Sequence, residues 1–172
     1  MTEAKEKEEL NDDYDEDDED TQKDKFLTFQ VGNEEFGIEI RHVTEIIGLQ
    51  KITDVPDMPN FIRGVINLRG KVIPVMDVRS RFKLETREYD DRTCIVVVNI
   101  NDNAVGLVVD RVSEVADIPE SQVEPPAQIG QDTASRYIQG MGKIGEEVKI
   151  LLDVDRLLYE DELKSISQMP NP

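Results

Sequence analysis

The chain has 172 residues, 38% of them hydrophobic and none of them Trp, so one ordinary domain or two small packed ones must be built around Val, Ile and Leu. Its formal charge is −18, with 38 acidic against 20 basic residues, which argues against a phosphate-backbone binder, since that needs a Lys/Arg stripe. The lone Cys94 excludes an intramolecular disulfide and a thiolate metal cage, and no apolar run approaches the roughly 18 residues of a membrane span.

Residues 1–25 hold thirteen acids against four lysines, a charge of −9. The run "NDDYDEDDED" has no apolar periodicity, and such a segment cannot bury enough surface to offset its ordering entropy. It is expected to be a disordered acidic tail, read most simply as a solubilising one, with an electrostatic contact to a basic partner as the alternative. The acidic N-terminus carries no secretory signal pattern, so a soluble, cytoplasmic protein is expected.

From Phe26 the signal is short β runs broken by turns. "FLTFQV" breaks at Gly32 and returns as "EEFGIEI", which predicts a hairpin; "TCIVVVNI" breaks at "NDN" and returns as "AVGLVVD", which predicts a second. The returning strands align without a gap, "GIEIRHVTEI" (37–46) on "GLVVDRVSEV" (106–115), a shift of 69 residues. Further on, "FIRGVINLRGKVIPVMDV" (61–78) aligns with "YIQGMGKIGEEVKILLDV" (137–154), a shift of 76. The chain therefore contains one structural unit twice, with copies near 26–83 and 93–163. Each copy supplies about five strands, and closure into a small barrel would remove their edges. The predicted fold is all-β: two packed five-stranded barrels with short helices and a C-terminal helix, followed by a flexible end over 164–172.

Val72 and Val148 are equivalent under the second shift, and both are expected to face a core. Asp77 and Asp153 stand where helical segments begin and read as caps. After Asp153, Val154, Leu157, Leu158 and Leu163 fit the apolar face of a helix.

"GMGKIG" (140–145) matches a dinucleotide fingerprint, G-x-G-x-x-G. That motif requires a helix directly after it, whereas "VKILLDV" reads as a strand and the counterpart of the glycines in the first copy is "GVINLRG". The nucleotide reading fails on context. The single His42 has no neighbouring Cys or second His, so neither a metal site nor a Ser–His–acid set can be assembled around it. No catalytic residue, cofactor or metal is predicted; a protein-binding module is the reading that remains. A small-barrel nucleic-acid binder would need a basic, aromatic stacking platform, and five Phe with no Trp on an acidic body do not supply one.

"NLRGKVIPVMDV", "FGIEIRHVTEI" and "FIRGVINLRG" together resemble the CheW family, the coupling proteins of bacterial chemotaxis, over roughly Phe26 to Leu163. The resemblance implies two five-stranded barrels packed on one another. It also implies a non-catalytic adaptor, monomeric outside arrays, that links methyl-accepting chemotaxis receptors to the regulatory domain of the histidine kinase CheA at the inner face of the membrane, without entering the bilayer. By the same resemblance, Val43, Glu45, Gly64, Arg69 and Val115 would contact receptor, and Ile52, Thr53 and Ile129 the kinase. An adaptor of a related non-chemotaxis kinase pathway is the alternative. Arg69 stands out among these positions, because the second copy has Gly145 there, so the barrel itself does not require a guanidinium. An exposed planar fork at a hairpin tip suits recognition of carboxylate or carbonyl groups.

Overall fold

A computed structural model describes residues 22–126, 136–158 and Glu162 of the chain. The acidic stretch 1–21, Ile129, and all of the C-terminal stretch past Leu158 except Glu162 lie outside the described residues. Lys25 already opens the first strand, and the Asp24 carbonyl accepts from the Ile118 N–H at 2.8 Å. The tail expected over 1–25 thus overruns into the folded body.

Eleven strands are described: β1 (Lys25–Val31), β2 (Glu34–Glu39), β3 (Val43–Gly48), β4 (Ile62–Leu68), β5 (Lys71–Asp77), β6 (Cys94–Ile100), β7 (Asn103–Val109), β8 (Arg111–Asp117), β9 (Val123–Glu124), β10 (Ile138–Ile144) and β11 (Glu147–Leu152). One helical turn, α1 (Val78–Arg81), follows β5, and a 3-10 turn (Val154–Arg156) follows β11. Both expected hairpins are present as β1–β2 and β6–β7. Both caps are present too. The Asp77 carboxylate accepts from the backbone N–H groups of Arg79 and Ser80, and that of Asp153 from Asp155; each meets donors that a helix start leaves unpaired.

The strands form two sheets, ordered β8-β1-β2-β11-β10-β9 and β3-β6-β7-β5-β4. The repeat copies and the sheets do not coincide. Each sheet combines the hairpin of one copy with the remaining strands of the other: β1–β2 joins β8, β9, β10 and β11, while β6–β7 joins β3, β4 and β5. Chain segments 26–83 and 93–163 are repeats in sequence, but neither is a subdomain.

Both sheets close the same way. After β3 the chain returns to the free side of β4, where Thr53 and Val65 exchange two backbone hydrogen bonds of 2.8 Å. After β8 it returns to β10 as the two-residue strand β9. The sixth strand is therefore a slightly longer version of the bridge in the first copy, and the five-stranded expectation holds apart from it.

Three cores result. One lies between the barrels and takes Leu27, Phe29 and Ile38 from one sheet and Val96, Val98 and Leu107 from the other. The second fills the five-stranded barrel with Ile66, Ile73, Val75, Ile95, Val97 and Val108. A smaller one fills the other barrel with Phe26, Ala116, Ile118 and Leu151. Strand β6 sends alternate residues to two cores, which is why it reads as an unbroken apolar run.

Val148 does not face a core: it is 52% exposed, and Val72 is only half-buried. The copies are nevertheless correctly aligned. Ile150 and Leu152, on the same side of β11 as Val148, pack into the inter-barrel core, and Val148 overhangs its rim beside the β10–β11 turn. The barrel-facing position is the next one along, Ile73 in the first copy and Lys149 in the second, both buried.

Candidate functional site

Arg69 occupies the β4–β5 turn in a left-handed backbone conformation (φ +52°), beside an Asn67 side chain that accepts from the Gly70 N–H at 2.8 Å. Its side chain is 72% exposed, and both guanidinium arms reach the carboxylate of Glu45 on β3, Nη1 at 3.1 Å. Two residues far apart in sequence thus meet. The hydrogen bond to Glu45, followed by that residue's charge, raises the Arg69 pKa further and fixes the positive state. Because β3 and β4 are the two edge strands of this sheet, the pair spans the seam of the barrel, and only the guanidinium N–H groups not used on Glu45 face outward.

Val43, two residues before Glu45, is half-buried opposite Val98 and packs on the inter-barrel core. Val115 lies on β8, the edge of the other sheet, opposite the core residue Leu27, and is 52% exposed. Its equivalent in the first copy is Ile46, on β3 opposite Val96 and 46% exposed. Each edge strand therefore shows one aliphatic side chain on the face that the inter-barrel core uses. Ile46 was not among the expected site residues, although the 69-residue shift that pairs it with Val115 was already visible.

Gly64 is placed by backbone crowding. Its φ is +147°, and a Cβ there would stand 2.1 Å from the Thr53 carbonyl oxygen and 3.0 Å from Ile52 Cγ2. In the second copy a Cβ on Gly140 would meet Val123 Cγ1 at 2.7 Å and the Glu124 carbonyl at 2.9 Å. Both glycines let the returning connector cross the barrel edge. Gly64 is consequently a support for Ile52 and Thr53, two of the expected kinase-contact positions. Ile52 packs on the core of the five-stranded barrel and lines an outer groove of about 430 Å³ with Leu49, Arg63 and Tyr89.

His42 is half-buried in a 3-10 turn, its Nε2 3.2 Å from a Glu39 oxygen. Burial pushes the Cys94 thiol up, away from the thiolate. Among the described residues no group of three or more His, Cys, Asp or Glu is placed to hold a metal ion, and no helix is long and apolar enough to cross a membrane.

With this geometry in place, the comparisons with known proteins fall on one family. The family model described as "CheW-like domain" matches residues 25–162. The chain belongs to the CheW-like domain family. It is 38% identical over 144 residues to the chemotaxis protein CheW of Klebsiella aerogenes, covering 84% of this chain and 87% of that one. It is 28% identical to the protein FrzA of Myxococcus xanthus, over 83% of this chain and 90% of that protein. Among solved structures, the scaffolding protein TtCheW of Thermoanaerobacter tengcongensis superposes with a TM-score of 0.74 at 34% identity, covering 81% of this chain and 94% of that one. The two-barrel, strand-dominated fold is the family's.

Proposed function

We propose that this protein is a chemotaxis coupling adaptor that places the kinase CheA under the control of chemoreceptor tips and carries no reaction of its own. The observation that supports this most directly is the Glu45–Arg69 pair, an exposed ion pair that spans the barrel seam. Val43 stands on the same strand, and Ile46 and Val115 offer aliphatic contacts on the two edge strands. A receptor helix would lay alternate apolar side chains against such edges while the pair fixes its register. Gly64 acts by shaping the connector; Ile52, Thr53 and Ile129 are assigned to the kinase. The second reading is the same adaptor in a related non-chemotaxis kinase pathway.

The test is reconstitution of chemotaxis receptor fragment, CheA and this protein. Kinase activity should become receptor-controlled with the wild-type chain, and control should weaken about tenfold or more with Arg69→Ala, as for an Arg anchor at an interface. Arg69→Lys should rescue in part, because it restores the charge without the fork. Ordinary kinase control by Arg69→Ala would remove the proposed site, and no control by the wild type would favour the second reading.

A further inference from the structure

The internal duplication exposes an asymmetry that the coupling reading does not use. In the second copy, the turn after β11 crosses from its own sheet to the other one and packs on β6. There Val154, Leu157 and Leu158 are each about 1% exposed and join Ile100 and Val105 in the inter-barrel core. In the first copy the equivalent turn is α1, whose main backbone neighbours are β5 and β7 of its own sheet. Arg79 holds it there by two hydrogen bonds to Asp110, Nε at 2.9 Å and Nη2 at 2.6 Å. Val78 is buried like Val154, but the residue that corresponds to Leu157 is Arg81, which turns away to the Leu157 carbonyl and the Glu162 carboxylate.

Phe82, the equivalent of Leu158, still packs on Phe36, Tyr137 and the inter-barrel core, so it is the space that Leu157 fills in the second copy that is left as an open groove in the first. It measures about 530 Å³, and its apolar walls include Val31, Phe36, Phe82, Leu84, Ile138 and Ile150. Leu84 is 41% exposed on this wall. The one basic residue lining it, Arg79, is engaged by Asp110 and by the Glu85 carbonyl. The exposed carboxylates of Glu34 and Glu85 therefore set the charge of the rim.

We infer that this groove is a second docking surface, and that it takes a partner protein's helical turn carrying an aliphatic side chain, in the place that Leu157 holds in the second copy, and a basic flank. Leu157 of the chain's own "VDRLL" (154–158) shows the apolar side chain that fits the equivalent space, and the acidic rim selects the flank. The groove shares no lining residue with the Glu45–Arg69 pair, so it can be filled while that site is engaged.

The experiment titrates the full chain with a stapled peptide of the 153–160 sequence in which Asp155 and Glu160 are replaced by Lys, followed by amide NMR. Shifts confined to Val31–Phe36, Phe82–Glu85 and the ends of β10 and β11 are expected. Leu84→Asp should weaken binding about tenfold or more, as expected for a buried aliphatic contact, with an unchanged melting temperature. Glu85→Lys should weaken the basic peptide about threefold and favour the unsubstituted acidic sequence, a rim-charge effect on partner choice. The inference is overturned if the peptide shifts none of these amides, or if Leu84→Asp binds it equally well. It is also overturned if the groove accepts peptide only after residues 163–172 are deleted, which would make the chain's own terminus the occupant. Concentration-dependent dimerisation through the same amides would assign the groove to a second copy instead.

Discussion

Gly64 and Arg69 lie five residues apart on one hairpin, yet their substitution should fail in different ways. An alanine Cβ at 64 would lie 2.1 Å from the Thr53 carbonyl oxygen, a backbone atom that cannot step aside without breaking the Thr53–Val65 bridge. Overpacking of this kind costs about 1–3 kcal/mol, so Gly64→Ala should lower the unfolding free energy by about 2 kcal/mol in a denaturant titration. Arg69→Ala should leave the denaturation midpoint where it is, because the Arg69 side chain is largely in solvent. Lys149 is a third case. It is only 4% exposed and pairs with Glu35 and Glu147 at a barrel-facing position where the first copy has Ile73. The 69-residue shift sets Ala104 opposite Glu35, so the first barrel has an apolar pair where the second has an ionic one. Removing one partner of a buried ion pair strands the other, at about 3 kcal/mol or more. Lys149→Ala should therefore be strongly destabilising, and the double variant Lys149→Ile with Glu35→Ala should recover most of the loss. Equal stability of the single and double variants in chemical denaturation would show that the pair is not coupled. The strand "VKILLDV" was legible in the sequence; the side each residue faces was not. Val148 at the strand end has the composition of a core residue and Lys149 that of a surface one, and only the position of the inter-barrel rim reverses them.

The hairpins were legible because they turn at Gly32, Gly70, Asn101 and Gly145, and β6 because it alternates between two buried faces. The connector between the copies was not, since "KLETREYDDR" carries no periodicity. Its hold on the body comes from side chains. The Tyr89 hydroxyl donates to Asp77 Oδ2 at 2.8 Å, and Arg87 reaches Asp110 at 4.0 Å. Asp110 also accepts the Gly32 N–H at 2.8 Å and both bonds from Arg79. One carboxylate thereby ties together β1, α1 and the connector. Burial opposes its ionisation, but hydrogen bonds from Arg79 and Gly32 and the charges of Arg79 and Arg87 outweigh burial and hold its pKa below the usual aspartate range. A depressed carboxyl pKa gives stability that is present above the unfolded value, near 4, and is lost as pH falls through the folded value. Stability should accordingly fall on acidification below about pH 4, where the unfolded state binds the proton first. Asp110→Asn should flatten that limb while lowering stability at neutral pH. Thermal melts of both proteins across the acid range check this, and parallel acid limbs would mean that Asp110 does not carry it.

At the scale of the molecule, sequence comparison found the repeat but assigned the subdomains to contiguous copies. Pairing is what escaped it: an aligned hairpin fits either barrel equally well, and nothing local records which sheet it joins. The observed exchange has a thermodynamic consequence. The five-stranded barrel takes its two central strands, β6 and β7, from the second copy, and the six-stranded sheet takes β1 and β2 from the first. Neither half of the chain can close a barrel alone, and the inter-barrel core draws on both sheets. Unfolding should therefore be one cooperative transition, since opening either barrel removes strands from the other. A cut in the exposed connector at Lys83–Glu88 tests this at full length. The nicked protein should remain associated and folded, because the two pieces stay interleaved through every sheet. After denaturation and separation, each fragment should lack a cooperative melt, and mixing the two should restore the original spectrum. If residues 22–83 or 93–172 alone show a sharp transition, the copies fold independently, and hairpin exchange would then be a late packing step and not the basis of the fold.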